Sequence, residues 1–278
     1  MNSIPENQTL EFGYNRFSDL FYYLLAHMPV NCAADVSDPE YARRMAECLG
    51  TSPEIPDRLL KYYEEHFDRV AIINFMPLIV SSAEECRNML ACCGQLSEED
   101  LRVFADPLMD ICEQASAAFY PWWDRHHAAV AKRAEEVYRY FSLQKERFGS
   151  FWSRPGAQTK VLFSYSLRKN GRAFNNGDIQ TVYLSFPEDD EDLPGCFFQF
   201  LHECTHRLTD PLLNQMIQMA DGSHDMAEYQ VLVYDEYLIH RLCPDMSRAY
   251  RSWIGDEYLN YAHEQLGREG EKRVSALL

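Results

Sequence analysis

The chain has 278 residues, 46% hydrophobic and 25% charged. These are ordinary globular values, and they exclude disorder, collagen-like repeats and a disulfide miniprotein as descriptions of the whole. With 26 basic and 43 acidic residues the formal charge is −17, the wrong sign for a nucleic-acid-binding surface. No stretch approaches the roughly 20 apolar residues of a membrane-spanning helix. The opening MNSIPENQ has neither the basic nor the apolar region of a secretory leader. Nine cysteines, irregularly spaced and without a CxxC pair, read as reduced, mostly buried thiols. The expectation is a cytoplasmic protein with no membrane or nucleic-acid partner.

Residues 1–150 read as a helical region. Residues 10–28 carry aromatic and aliphatic side chains on most turns and stop before Pro29, which predicts a helix. Asp38 followed by Pro39 is an N-cap and first-turn proline, and Gly50 fits the other end. Ser82 with Glu85 and Ser97 with Asp100 have capping-box spacing, with Gly94 closing the helix between them. Residues 121–148 form a long helical pattern ending at Gly149, and its aromatic residues read as core. His126-His127 lies within it and reads as surface.

The texture changes after residue 150. Residues 160–168 (KVLFSYSLR) alternate apolar and polar side chains as a half-buried strand does, and residues 181–186 (TVYLSF) form a second strand. Lys169-Asn170-Gly171 and Asn175-Asn176-Gly177 supply turns between them. Pro187 and the acidic run 188–192 end the second strand. From Pro194 the chain is helical again, with a break at Asp221-Gly222-Ser223. The fold expected is α+β and mostly helical: a helical region over 1–150, then a small antiparallel sheet with the remaining helices over 151–278, the two parts able to share one core.

His202-Glu203-Cys204-Thr205-His206 is an HExxH motif. On a helix, side chains four apart stand one above the other, so His202 and His206 can offer two imidazole nitrogens to one Zn²⁺. Glu203 is rotated about 100° from His202 and is placed to take a proton from water at the metal rather than to bind the ion. With nine histidines and 24 glutamates in the chain, about 0.02–0.03 such matches are expected by chance, so the pattern is specific.

With this motif, residues 160–241 resemble the zincin metallopeptidases. The resemblance implies a zinc-dependent peptidase acting on a peptide or protein substrate, with an edge strand ahead of the HExxH helix that binds extended peptide by strand addition. Residues 181–186 stand in that strand's place. The metzincin extension is absent, since Thr209 and Leu212 occupy its glycine and third-histidine positions. A gluzincin-like third ligand would come from the helix beginning at His224. Glu228 is the first candidate, although its spacing from Asp225 also suits a capping box. Glu236, two turns on along the same face, is the second, and Asp225 and His224 are further ones. Where gluzincins often carry an acid four residues after that ligand, this chain has Leu232, and Asp235 can serve instead to orient a histidine. Tyr229, Tyr234, Tyr237, His240, Tyr165 and Tyr183 are candidate donors to an oxyanion. The competing expectation is a non-catalytic protein that keeps the scaffold for metal or partner binding.

Overall fold

The computed structural model describes residues 10–30, 36–152, 158–168, 171–176, 179–217 and 224–278. It opens with a strand where the pattern predicts a helix. Strand β1 (Leu10–Tyr14) precedes helix α1 (Arg16–Ala26), and Asn15 caps the helix by accepting hydrogen bonds from the N–H groups of Phe17 and Ser18. Within β1, Leu10, Phe12 and Tyr14 alternate with Glu11 and Gly13, a period of two that five residues barely declare. What fixes it is the partner: β1 runs parallel to β2 (Gln158–Ser164), with Phe12 opposite Val161.

Helix α2 (Pro39–Leu49) has the expected ends: Asp38 accepts from the Tyr41 N–H, and Gly50 takes the left-handed conformation at φ 70°. Helices α3 (Asp57–Glu65) and α4 (Phe67–Val70) lead into a 3₁₀ stretch, Ala71–Leu78. Ser82 caps α5 (Ala83–Cys92), but Glu85 turns back to Ser81 rather than completing the box. Ser97 and Asp100 complete theirs around α6 (Glu98–Asp100), which continues through a π turn into α7 (Asp106–Ala129). Pro121 lies inside α7 rather than starting a helix. The long pattern divides at Val130, where α8 (Ala131–Arg147) begins, followed by α9 (Gly149–Trp152).

The sheet is mixed, in the order β1-β2-β4-β3, rather than antiparallel as expected. Strands β2 and β4 (Ile179–Ser185) pair in parallel, and β3 (Arg172–Asn176) pairs antiparallel to β4. Asn175 and Asn176, read as turn residues, belong to β3; Lys169, Asn170 and Gly177 lie outside the described residues. Residues 181–185 therefore fall on an interior strand, and the strands on the two edges are β1 and β3. An interior parallel strand is buried on both faces, and Val182, Tyr183 and Leu184 are all buried.

The sheet lies between helical layers. On one face Phe163 meets Phe141 of α8 at 5.6 Å between ring centroids, and Phe141 meets Phe197 of α10 (Asp192–Ile217) at 5.5 Å. On the other, the Tyr183 and Ser18 hydroxyls are 2.9 Å apart, and Ser18 donates to the Pro77 carbonyl. One hydrophobic cluster takes in residues from both sides of residue 150. Helices α11 (His224–Leu242), α12 (Ser247–Ile254) and α13 (Asp256–Ser275) complete the chain. Asp221, Gly222 and Ser223 lie outside the described residues. No described helix is long and apolar enough to cross a membrane.

Asp19 joins three elements from inside the core. Its carboxylate accepts hydrogen bonds from the Trp123 indole of α7, from the Ser164 hydroxyl, and from the Tyr165 and Ser166 N–H groups at the end of β2. Burial pushes its pKa up to about 6, against the pull of those four donors. An acid whose folded pKa lies above its unfolded value stabilises the fold most at low pH, and that contribution is lost as pH rises through the folded value. Asp19→Asn removes the titration. Across pH 4 to 6 the wild type should therefore lose stability relative to Asp19→Asn, by no more than about 3 kcal/mol, as read by urea unfolding at each pH. A stability difference that stays flat would refute the assignment.

Candidate metal centre

Helix α10 carries His202 and His206 one turn apart, their ring centroids 5.0 Å from each other and their planes at 86°. Helix α11 packs beside it and delivers Glu228. One Glu228 oxygen lies 3.3 Å from His202 Nε2 and the other 3.9 Å from His206 Nε2. The ligand atoms of all three residues fall within 4.8 Å of one another. Two imidazole nitrogens and a carboxylate oxygen form a donor set for a first-row transition metal. His202 is buried, while the side chains of His206 and Glu228 are 23% and 32% exposed, so the group opens to solvent on one side. Glu228 sits in the second turn of α11 with Asp225 already inside the helix, so the capping-box reading of this pair does not hold.

The surroundings fit a bound cation. Asp235, fully buried on α11, places Oδ2 3.7 Å from His202 Nδ1, and neither atom has a hydrogen-bond partner. A ligating histidine gives Nε2 to the metal and donates from Nδ1–H to an acceptor behind it, and Asp235 lies behind His202 in that sense. Its other oxygen accepts from the Thr205 hydroxyl at 2.6 Å. Burial on its own would lower the His202 pKa; Glu228, with Asp235 and Glu203, outweighs it and pushes the value up to about 9. Burial holds the Asp235 carboxyl above its usual range, against the opposing pull of His202 and Thr205. Two carboxylates, those of Glu228 and Asp235, thus lie within 4 Å of one imidazole, an arrangement that a cation would relieve.

Glu203 faces a different neighbour. It is buried, and its Oε1 accepts a hydrogen bond at 3.0 Å from Gln199, one turn earlier on α10. Its main-chain carbonyl accepts from Gln180 of β4 at 3.2 Å. The chain passes Glu203 closely at Gly171, just before β3. A Cβ there would lie 2.9 Å from Gln199 Cγ and 3.1 Å from Glu203 Cγ and Oε1. Glycine is what lets the backbone approach this carboxylate. Gln199, Gln180 and Gly171 were not among the sequence candidates. The four-residue spacing of Gln199 from Glu203 is visible in the sequence; the other two contacts depend on the sheet.

The remaining candidates are placed elsewhere. Glu236 is bound by Arg251 of α12 and by His263 of α13 at 2.6 Å, which takes it out of the ligand set. The side chains of His224 and Asp225 lie outside those described. Tyr165 bonds His127, and Tyr183 bonds Ser18 on the sheet face opposite α10. Tyr229 packs its ring against Tyr258 and Tyr261, Tyr237 packs against His263, Tyr234 is fully buried and His240 is exposed. His126 and His127 are not simple surface residues: they stack on Trp122 and Trp123 and are half-buried.

No family model, curated protein or solved structure matches this chain.

The purified protein should take up about one equivalent of a transition metal ion, read by elemental analysis after dialysis. His206→Ala and Glu228→Ala should each abolish stoichiometric uptake. Asp235→Asn should keep the fold and weaken the metal by about 10–100-fold in a competition titration, because it acts on His202 rather than on the ion. Equal uptake by wild type and His206→Ala would place the metal elsewhere.

Proposed function

We propose that the chain is a zinc-dependent peptidase of the zincin type, with His202, His206 and Glu228 holding the ion and Glu203 as the general base. One observation carries the reading. Three ligand-bearing side chains converge within 4.8 Å, and the carboxylate of Glu203, next in sequence to His202 on the same helix, is buried and held by Gln199 at 3.0 Å.

Zinc bound by this triad would act as a Lewis acid on the scissile carbonyl and lower the pKa of a water in its open position. Glu203 accepts the proton of the attacking water and passes it to the leaving amine. Gln199 engages Oε1, so Oε2 is the oxygen available for that transfer. Strand β3 pairs with β4 along one side and with no other strand among the described residues, and Gly171, just before it, adjoins Glu203. A substrate in extended form can add to the β3 edge, which brings its backbone past the general base. The edge strand of the zincin reading is thus β3 rather than residues 181–186. A scaffold kept only for metal or partner binding gives no reason for a buried carboxylate secured next to the ligands by its own donor.

Two substitutions test the proposal. Glu203→Gln should retain one equivalent of zinc and lose about 10²–10⁴-fold in peptide hydrolysis; hydrolysis at the wild-type rate by this variant would sink the mechanism. Gly171→Ala introduces a methyl group against the Glu203 carboxylate. It should lower kcat by about tenfold or more while zinc content stays at one equivalent, since a misplaced base costs rate before it costs binding.

A further inference from the structure

Along α10 one stripe of side chains runs from Asp192 through Gly195 and Gln199 to Glu203 and His206. At its N-terminal end lies a cavity of about 680 Å³. Gln199 belongs to both places: it lines the cavity and donates to Glu203. The cavity is bounded by the end of β4, by the loop that follows β4 and by α12. Gln199 precedes Glu203 by about 6 Å of helix and Asp192 by about 16 Å, at 1.5 Å per residue. An extended peptide advances about 3.3 Å per residue. A substrate lying across Glu203 would therefore place the side chain of a residue about two to five positions from the scissile bond at this cavity.

Its walls are specific. Trp253 of α12 is 37% exposed and lines the cavity. A Cβ on Gly195 would come within 3.1–3.2 Å of the indole, so a glycine in the first turns of α10 lets the ring lie against the helix. Helix glycine is costly and an exposed tryptophan is uncommon away from binding surfaces; here the two are paired. Opposite stand Glu188, Asp189, Glu191 and Asp192, with Arg168 the single cation in the lining. Arg168 pairs with Glu188, and Asp189, Glu191 and Asp192 form no ion pair among the described residues.

We propose that this cavity is a substrate subsite that takes a lysine or arginine side chain, so that the enzyme selects peptides with a basic residue a few positions from the cleaved bond. The inference rests on the peptidase reading. The occupant is chosen by the walls: carboxylates attract the charged end and raise its local concentration, while the indole face receives the cation or its methylene stem.

The test uses zinc-loaded full-length protein and a panel of fluorogenic decapeptides of alanine, serine and glycine in which a single lysine is moved through every position. At one or two adjacent positions kcat/KM should rise at least tenfold over the neutral parent and over the glutamate analogue. In Asp189→Lys/Glu191→Lys, with zinc content and circular dichroism unchanged, the preference should invert towards glutamate. Trp253→Ala should reduce the lysine preference several-fold through KM. Cleavage without preference for lysine, or a preference that survives the charge reversal, overturns the subsite and leaves the peptidase reading intact. Failure to cleave any peptide defeats the peptidase reading itself, and binding to the Glu203→Gln variant then decides the cavity. Salt-sensitive binding of the lysine peptides that the charge reversal abolishes supports a cation-selective pocket; no such binding overturns it.

Discussion

Helix α10 buries different sides against three neighbours, and the arrangement of the site follows from that division. Phe197, Phe200, Leu201 and Cys204 point into the core shared with the sheet and α8. His202 and Thr205 turn towards α11, where Asp235 and Glu228 wait. Gln199 and Glu203 turn towards Gly171 and β3. A helix turns about 100° per residue, so adjacent residues such as His202 and Glu203 necessarily meet different surroundings. The rotation turns His202 towards α11 and Glu203 towards Gly171 and β3. The apolar face anchors the helix at fixed height and angle through the close packing of interior side chains.

The electrostatics at this junction run against ordinary burial. Asp235 has no exposure and an unpaired oxygen, and His202 has an unpaired nitrogen facing it. Leaving such groups unsatisfied costs on the order of 1–3 kcal/mol each. The same helix pair offers a contrast further along α11. There Glu236 is fully engaged by Arg251 and His263, fastening α11 to α12 and α13. Two glutamates eight residues apart on one helix thus have different surroundings: Glu236 is held by Arg251 and His263, and Glu228 lies beside His202 and His206.

Much of the local grammar was legible in the sequence. Asp38, Pro39 and Gly50 mark α2 because caps act through atoms within four residues of the helix end. The Ser97–Asp100 box forms for the same reason. Strands β2 and β4 were legible from alternation, though their bounds shifted by a few residues. Strand β1 was not: its five residues merge into the apolar pattern of α1, and only pairing with β2, some 150 residues later, gives them strand geometry. The parallel order of the sheet was hidden likewise, because strand direction depends on connections and not on composition.

By itself the sequence determined the pair of histidines and the glutamate between them, since their spacing on a helix sets their relative directions whatever surrounds it. It also placed the candidates for a third donor, His224, Asp225, Glu228 and Glu236, on the helix that begins at His224. Tertiary structure separates Glu228 from Glu236. Glu228 and Glu236 lie on similar sides of one helix, and what separates them is that α12 and α13 bring Arg251 and His263 to the second and not to the first. It also decided that Asp235 stands behind His202, that β3 lies on an edge of the sheet and that the backbone at Gly171 passes close to Glu203. Each of these is a contact between residues far apart in the chain, and periodicity, which reports only on neighbours within a turn or two, carries no information about them.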